Sequence, residues 1–399
     1  AALWATAAAL ALRRWRPLTA ALARGWALLD RPRVATWVMV GGLALYVAIM
    51  LPFLLVVPWI NHADYADNAV VARNLVRGNG FTVDYVAQFY RDWPTLRHPA
   101  ETWPPLQPLM IAVAFALFGV SVGVAKLPNL LVMLGLLWLV FRVGTWLWSS
   151  RVGLLAALLV AVNPDLFDGV VYPLNDTAFT FLAFGCIVLI ALGADRNPDP
   201  AGAGEGPVSG APARGLRRLA RTPRATWLLL GVLGGLLVLC KPSGAVLLAG
   251  GGAWALWEGW RRGALRGVLL GGLLAALVAA AVWSPWGVRN QLTFGVPFYS
   301  TESQDAWLLE FREWETIYKV YAGRAELPHP RLLVGYGYDA VSGKIILQFR
   351  KAWGDLKEGA ITPPPLLALA IVGGLLARER RQRLLLLAFG AATLVYGLF

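Results

Sequence analysis

Asp64, Asp176, Lys241 and Arg289 each stand at the edge of a long apolar run, where a charged side chain meets both water and hydrocarbon. Asp64 follows directly on the apolar run 34–60. A carboxylate at such a boundary can take a proton from a hydroxyl. The alternative is that Asp64 or Asp67 caps the helix that follows. Asp176 opens the run 176–194, where helix capping and partnership with a cation both fit. Lys241 closes the run 225–240, and its ammonium either snorkels to the headgroups or meets a phosphate. Arg289 lies just past the run 267–284, on the outer side, against the usual bias of basic residues. Its fork suits an interfacial anchor or a phosphodiester. The histidines are His62, His98 and His329. His62 with Asp64 and Asp67 is a sparse metal-ligand pattern, so no metal or other cofactor is expected, a divalent cation being the lesser reading.

These residues hang on an apolar frame. Hydrophobic residues make up 58% of the 399 and charged residues 15%, against about a quarter charged in a soluble domain. Apolar runs recur at 34–60, 104–119, 126–148, 152–164, 176–194, 225–240, 243–257, 267–284, 362–377 and 384–399. Roughly 20 residues cross a hydrocarbon core. The runs show no strand alternation, and backbone groups in hydrocarbon must be satisfied within the segment, so helices are predicted and not barrel strands. The expected fold class is all-α, a polytopic transmembrane helical bundle of about nine or ten segments with two long extracytoplasmic loops. The net charge of +13 sits in Arg clusters between the runs, which fits cytoplasmic flanks and not nucleic acid.

The chain divides accordingly. Residues 1–33 read as a cytoplasmic basic interfacial segment, 34–300 as the transmembrane module, and 61–103 as its first outer loop. Residues 195–224 read as a flexible basic cytoplasmic linker, 301–360 as a second outer loop and 361–399 as C-terminal spans. The first loop exceeds a bare connection, which favours a functional role. The second carries Trp307, Trp314, Tyr318, Tyr321, Tyr336 and Tyr338, suited to the interface or to sugar faces, and 340–358 reads as a juxtamembrane amphipathic helix. An even number of crossings must separate the first outer loop from Asp176, yet three runs intervene. The run 152–164, about 20 Å as helix, is expected to be a half-span or re-entrant segment, unless another run has been misjudged. Cys186 and Cys240 read as small core residues. Arg outnumbers Lys 30 to 6, a hint of a bacterial source. The chain opens without Met and stops inside an apolar run, as expected of a piece of a longer protein.

The stretch Asp64 to Phe81 resembles the first-loop signature of the GT-C membrane glycosyltransferases, which include protein O-mannosyltransferases and aminoarabinose transferases. Asp64 stands eight residues before Ala72-Arg73, and Gly78-Asn79-Gly80 closes the stretch. Asn68 replaces a usual Tyr, and Asp67 stands where some relatives carry a basic residue. Trp103-Pro104-Pro105 through Leu117-Phe118-Gly119 is similar to the entry of the second span, with Trp103 in place of a Lys. Asn163-Pro164 with Asn175-Asp176-Thr177-Ala178 resembles the second acidic site. Cys240-Lys241-Pro242 and Pro285-Trp286-Gly287-Val288-Arg289-Asn290 resemble two further boxes, all in family order over about residues 34–300.

The resemblance implies a glycosyltransferase with Asp64 as the catalytic carboxylate and Lys241 and Arg289 at the donor phosphate. Asp176, Asp67, Arg73 and Glu101 are implied as supporting or acceptor-orienting residues. It further implies a polyprenyl-phosphate sugar donor, a lipid, glycan or protein acceptor, and a multi-pass place in the plasma (inner) membrane. The N-terminus is then cytoplasmic and the site extracytoplasmic. The mannosyl- and aminoarabinosyl-transferase branches are not generally metal-dependent. No Gly-rich nucleotide-phosphate loop stands against a lipid donor. The rival reading is a transporter or flippase of lipid-linked intermediates, which often shows internal repeats and mid-membrane charges. Here no repeat is evident and the notable charges lie at one side.

Overall fold

Apolar runs of this length must close their backbone hydrogen bonds internally, and in this chain they close them as α-helices. The computed structural model describes residues 23–60, 63–85, 91, 93–194, 222–301, 307–308, 331–357, 382–383 and 386. The expectations for residues 1–22, the linker 195–221, much of the second outer loop and nearly all of 358–399 lie outside the described residues.

In chain order the helices are α1 (Pro32–Val56), α2 (Ala63–Val76), α3 (Leu106–Phe118), α4 (Val122–Leu147), α5 (Ser150–Ala161) and α6 (Pro164–Val171). There follow α7 (Asp176–Ala194), α8 (Pro223–Cys240), α9 (Gly244–Arg261), α10 (Leu265–Phe294), α11 (Arg331–Tyr336) and α12 (Tyr338–Lys357). Among the described residues α1, α4, α7, α8 and α10 are long and apolar enough to cross a membrane, and α5 and α6 form a further apolar pair bent by 60°. The protein is thus an all-α polytopic bundle. One departure from the sequence reading is a small antiparallel pair in the first loop, β1 (Thr82–Asp84) with β2 (Arg97–Pro99), where Val83 faces His98.

Burial follows the lipid and the core. In α1 the stripe Ala35, Met39, Tyr46, Met50 and Leu54 is buried, while Trp37, Leu45, Ile49 and Leu55 are exposed. One face therefore meets the bundle and the rest meets lipid. α7 is enclosed: Cys186 to Leu192 are all buried, against Val143 and Leu147 of α4, Trp227 and Leu237 of α8 and Trp254 of α9. Both cysteines are buried core residues. In lipid such contacts depend on close fit more than on water exclusion. Gly231 and Gly235 of α8 show that fit. A Cβ on Gly231 would come 2.7 Å from the carbonyl oxygen of Ala275, and one on Gly235 2.9 Å from that of Ala279, both in α10.

The parity problem resolves at α3. α4 runs antiparallel to α1. Near its start Lys126 Nζ donates to the Val57 carbonyl, just past α1, at 2.9 Å. Beyond its end Arg151 pairs with Asp30, ahead of α1, and lies over the Trp26 ring. α4 therefore leaves the α2 end of the bundle and reaches the opposite end. α6 is back at the α2 end, where Phe167 meets Phe53 edge-on at 5.7 Å. The bent pair α5–α6 thus runs from one end of α1 to the other, and the run 152–164, expected as a half-span or re-entrant segment, is the first half of that bent passage. Asn163 and Pro164 bend the passage without ending it, Asn163 Oδ1 accepting from Leu166 N to restart the helix. The element that does not cross is α3. Its start reaches Asn129 of α4 through Gln107 and its end leads into α4 within a few residues. Its apolar side, Ile111 and Phe115, packs on Ala72 of α2 and Ala125 of α4.

Candidate active site

α2 is the first platform. Asp64 lies in its first turn and Arg73 in its last, the order the helix dipole favours. Asp64 sits inside the helix and is not the residue ahead of it, so it is not an N-cap in the strict sense. Gly78 and Gly80, at φ 78° and 74°, turn the chain out of α2 into the strand pair. Arg73 Nη2 reaches both oxygens of Asp84 at 2.8 Å, and Asn74 Nδ2 donates to the Thr82 carbonyl at 3.0 Å. Asp67 accepts from the Tyr85 hydroxyl. Burial first, and then the Asp67 carboxylate, push the Tyr85 phenol well above its ordinary pKa. Asp67, Tyr85, His98, Glu101 and Trp103 line a small cleft between α2 and the strands.

The second platform joins α7 to α8. Asp176 is the first residue of α7, and its Oδ1 lies 2.5 Å from Lys241 Nζ at the end of α8. Its carboxylate therefore partners a cation. Beside the pair, Asn175 Nδ2 donates to the Cys240 carbonyl at 3.1 Å and the Cys240 thiol donates back to the Asn175 carbonyl at 3.3 Å. Tyr65, next to Asp64, connects the two platforms. Its ring stacks on Tyr172 at 6.0 Å with 9° between the planes. Burial, and then the charges of Asp176, Asp64 and Asp168, raise its phenol pKa. Tyr65 of α2 thus stacks on the residue that follows α6 and lies within electrostatic reach of Asp176, on which the Lys241 ammonium sits.

Arg289 belongs to a third group. Its Nη2 donates to the carbonyls of Ala100 at 2.9 Å and Phe81 at 3.3 Å, and its Nη1 to Asn290 Oδ1 at 2.9 Å. The guanidinium lies over the rings of Trp286, Phe294 and Phe81. Glu101, buried, accepts from Tyr299 at 2.7 Å and from Trp93 Nε1 at 3.3 Å. Arg91 donates to the Phe294 carbonyl. This group clasps the first loop onto the end of α10.

The sequence-predicted residues therefore fall into three sets. Asp176 and Lys241 form an ion pair whose carboxylate, like that of Asp64, is within electrostatic reach of Tyr65; Asp67 and Arg73 brace the strand pair; Glu101 and Arg289 lock the loop to α10. Sequence reasoning passed over Tyr65, Asp168 and Tyr172. The signal for Asp168 was a carboxylate inside an otherwise apolar stretch. Among the described residues no three His, Cys, Asp or Glu side chains converge as metal ligands, and His62 lies outside them.

Residues 102–201 match the family model of dolichyl-phosphate-mannose-protein mannosyltransferases. No curated protein sequence matches the chain. Among solved structures, the archaeal oligosaccharyltransferase AglB from Archaeoglobus fulgidus, in complex with an inhibitory peptide and a dolichol-phosphate, aligns at a TM-score of 0.45 and 13% identity. That alignment covers 91% of this chain and 37% of the archaeal one. The apo oligosaccharyltransferase of the same organism aligns at a TM-score of 0.45 and 15% identity, over 87% of this chain and 38% of the other. Its complex with Zn and sulfate aligns at 0.42 and 13%, over 89% and 48%. The chain thus spans less than half the length of these structures. The mannosyltransferase-model match takes in α3 to α7, about a quarter of the chain, and that stretch is similar to the family.

Proposed function

We propose that the protein transfers a sugar from a polyprenyl-phosphate-linked donor to an acceptor at the extracytoplasmic face of the membrane, with inversion. The observation that carries this reading is the stacking of Tyr65, next to Asp64, on Tyr172 at the α2 end of the bundle, within electrostatic reach of Asp176, which pairs with Lys241. The description of the matching family model names a donor of the same class, a sugar on a prenyl-chain phosphate. The acceptor is a protein, glycan or lipid hydroxyl. The membrane is the plasma (inner) membrane of a bacterium, with the N-terminus cytoplasmic.

The acceptor oxygen attacks the anomeric carbon from the face opposite the phosphate. Its proton passes to the Asp64 carboxylate, and the bond from the anomeric carbon to the phosphate oxygen breaks with its electron pair leaving on the phosphate. Lys241, held by Asp176, meets that developing charge, commonly the largest contribution in such a reaction. Arg289, with donors already on two loop carbonyls, adds positive charge from the side and keeps the first loop in place. Asp67, Arg73 and Glu101 hold the loop framework that presents Asp64.

The test is transfer by the purified protein in lipid nanodiscs, with a panel of polyprenyl-phosphate sugars and a membrane extract as acceptor. Asp64→Asn is expected to lower turnover by about 10²- to 10⁴-fold while donor binding is kept, the usual scale for a general base. Turnover that survives the change would return the base to Asp67, Asp168 or Asp176. Donor binding without turnover by the wild type would favour a flippase.

A further inference from the structure

The corner between α6 and α7 has its carbonyls satisfied by side chains from two other helices. α6 ends at Val171, and Pro173, with no N–H, keeps the chain from continuing as helix. Carbonyls at such a break need donors, and water is scarce inside a membrane bundle. Asn129 of α4 is fully buried and donates from Nδ2 to the Gly169 carbonyl and, at 2.7 Å, to the Leu174 carbonyl. Its Oδ1 accepts from Gln107 Nε2 of α3 at 2.7 Å. The same Nε2 reaches the Pro173 carbonyl at 3.3 Å. Every polar atom of the Asn129 side chain is thus engaged, and three of the four bonds end on or between Gly169 and Leu174. The next two residues are the ones that hold α8: Asn175 exchanges bonds with Cys240, and Asp176 pairs with Lys241. A continuous polar path runs from α3 through α4 to the corner and on to Lys241.

We propose that Gln107 and Asn129 are positioning residues for the Asp176–Lys241 pair. They fix the corner from which Asp176 projects, and through it the place of the ammonium that meets the donor phosphate. The inference rests on the transfer reading above. Amide bonds between membrane helices add only modestly to stability, so their gathering on one six-residue corner is accounted for by placement. Neither residue touches the reacting atoms in this scheme.

The experiment uses the full chain in nanodiscs, with hydrogen exchange over residues 169–177 and transfer from a polyprenyl-phosphate hexose read side by side. Asn129→Leu removes both corner bonds of α4. It is expected to speed exchange at the corner by about tenfold or more, with protection elsewhere kept. Turnover should fall between about tenfold and a hundredfold at a nearly unchanged donor KM, the scale of an ångström-sized misplacement. Lys241→Met should then cost much less in the Asn129→Leu background than in the wild type, because the two act through one step. Exchanging the amides, Gln107→Asn with Asn129→Gln, should recover most of the turnover. Unchanged corner exchange in Asn129→Leu overturns the proposal, as does an equal Lys241→Met loss in both backgrounds. If Asn129→Leu does not insert, Gln107→Leu carries the same comparison. A wild type without turnover defeats the transfer reading instead, and the exchange data alone then decide the positioning.

Discussion

Tyr299 is almost fully enclosed just past the end of α10, with its hydroxyl on Glu101. Burial first, and then the Glu101 carboxylate, hold its phenol well above the ordinary value near 10, and burial and Asp67 do the same for Tyr85. In the unfolded chain both phenols ionise from about pH 10, while in the folded protein they stay neutral. The folded state therefore binds more protons there, and stability is complete below pH 10 and falls as pH rises past it. Each tyrosine contributes a slope of about 1.4 kcal/mol per pH unit. Thermal unfolding between pH 9 and 12 should decline less steeply in Tyr299→Phe than in the wild type; equal slopes would mean that the phenol is not shielded. The residues legible in the sequence were those breaking an apolar pattern at a span end: Asp64, Asp176, Lys241 and Arg289. Their partners were not legible, because partnership across α2, α6, α7 and α8 leaves no local spacing. Arg289 shows this best. It was read as lying just past a span, whereas the helix runs on to Phe294, and nothing in the sequence indicates that its donors reach Phe81 and Ala100, about two hundred residues earlier.

Helices came out of the sequence readily, because hydrocarbon permits few other ways to satisfy a backbone. The two strands did not, since three residues each offer too little alternation to register. The contact between α8 and α10 lies between these cases: a Gly-xxx-Gly spacing was present, but its facing helix was not predictable. A Cβ on Gly231 would meet Val278 Cβ at 2.6 Å as well as the Ala275 carbonyl, and backbone cannot move aside as a side-chain end can. Gly231→Ala and Gly235→Ala are each expected to destabilise by about 1–3 kcal/mol, the range for overpacked sites. Gly272→Ala, in α10 with nothing within 4 Å of an added Cβ, should instead be neutral or stabilising by up to about 1 kcal/mol. Thermal unfolding of the three variants in one detergent checks the contrast, and an equal effect from all three would remove the close packing as the cause.

At the scale of the whole molecule, the site depends on which short apolar run fails to cross. If 152–164 were re-entrant, α4 would start at the end opposite α2, and Lys126 could not meet Val57 beside α1. If α3 stays at the α2 end, α5–α6 carries the chain back across and delivers Asp168, Tyr172 and Asp176 to the same end as Asp64. The sequence contained the parity conflict but not its resolution, because both runs are short and apolar, and length alone does not tell a bent span from a helix lying on its neighbours. The two arrangements differ in the side on which the α3–α4 turn is exposed. In a background of Cys186→Ala and Cys240→Ser, single changes Ala63→Cys, Val120→Cys and Trp148→Cys place thiols on α2, in the α3–α4 turn and in the α4–α5 turn. All three positions are accessible or partly so in the bundle. In sealed vesicles a membrane-impermeant maleimide should modify Ala63→Cys and Val120→Cys from one side and Trp148→Cys from the other. Val120→Cys labelling with Trp148→Cys would not fit any bundle in which α4 crosses. Val120→Cys and Trp148→Cys on opposite sides, but with Val120→Cys opposite Ala63→Cys, would make α3 a span. The chain would then need a re-entrant α5–α6 to keep Asp176 on the side of Asp64, and the seat of the α4 start beside Val57 would be overturned.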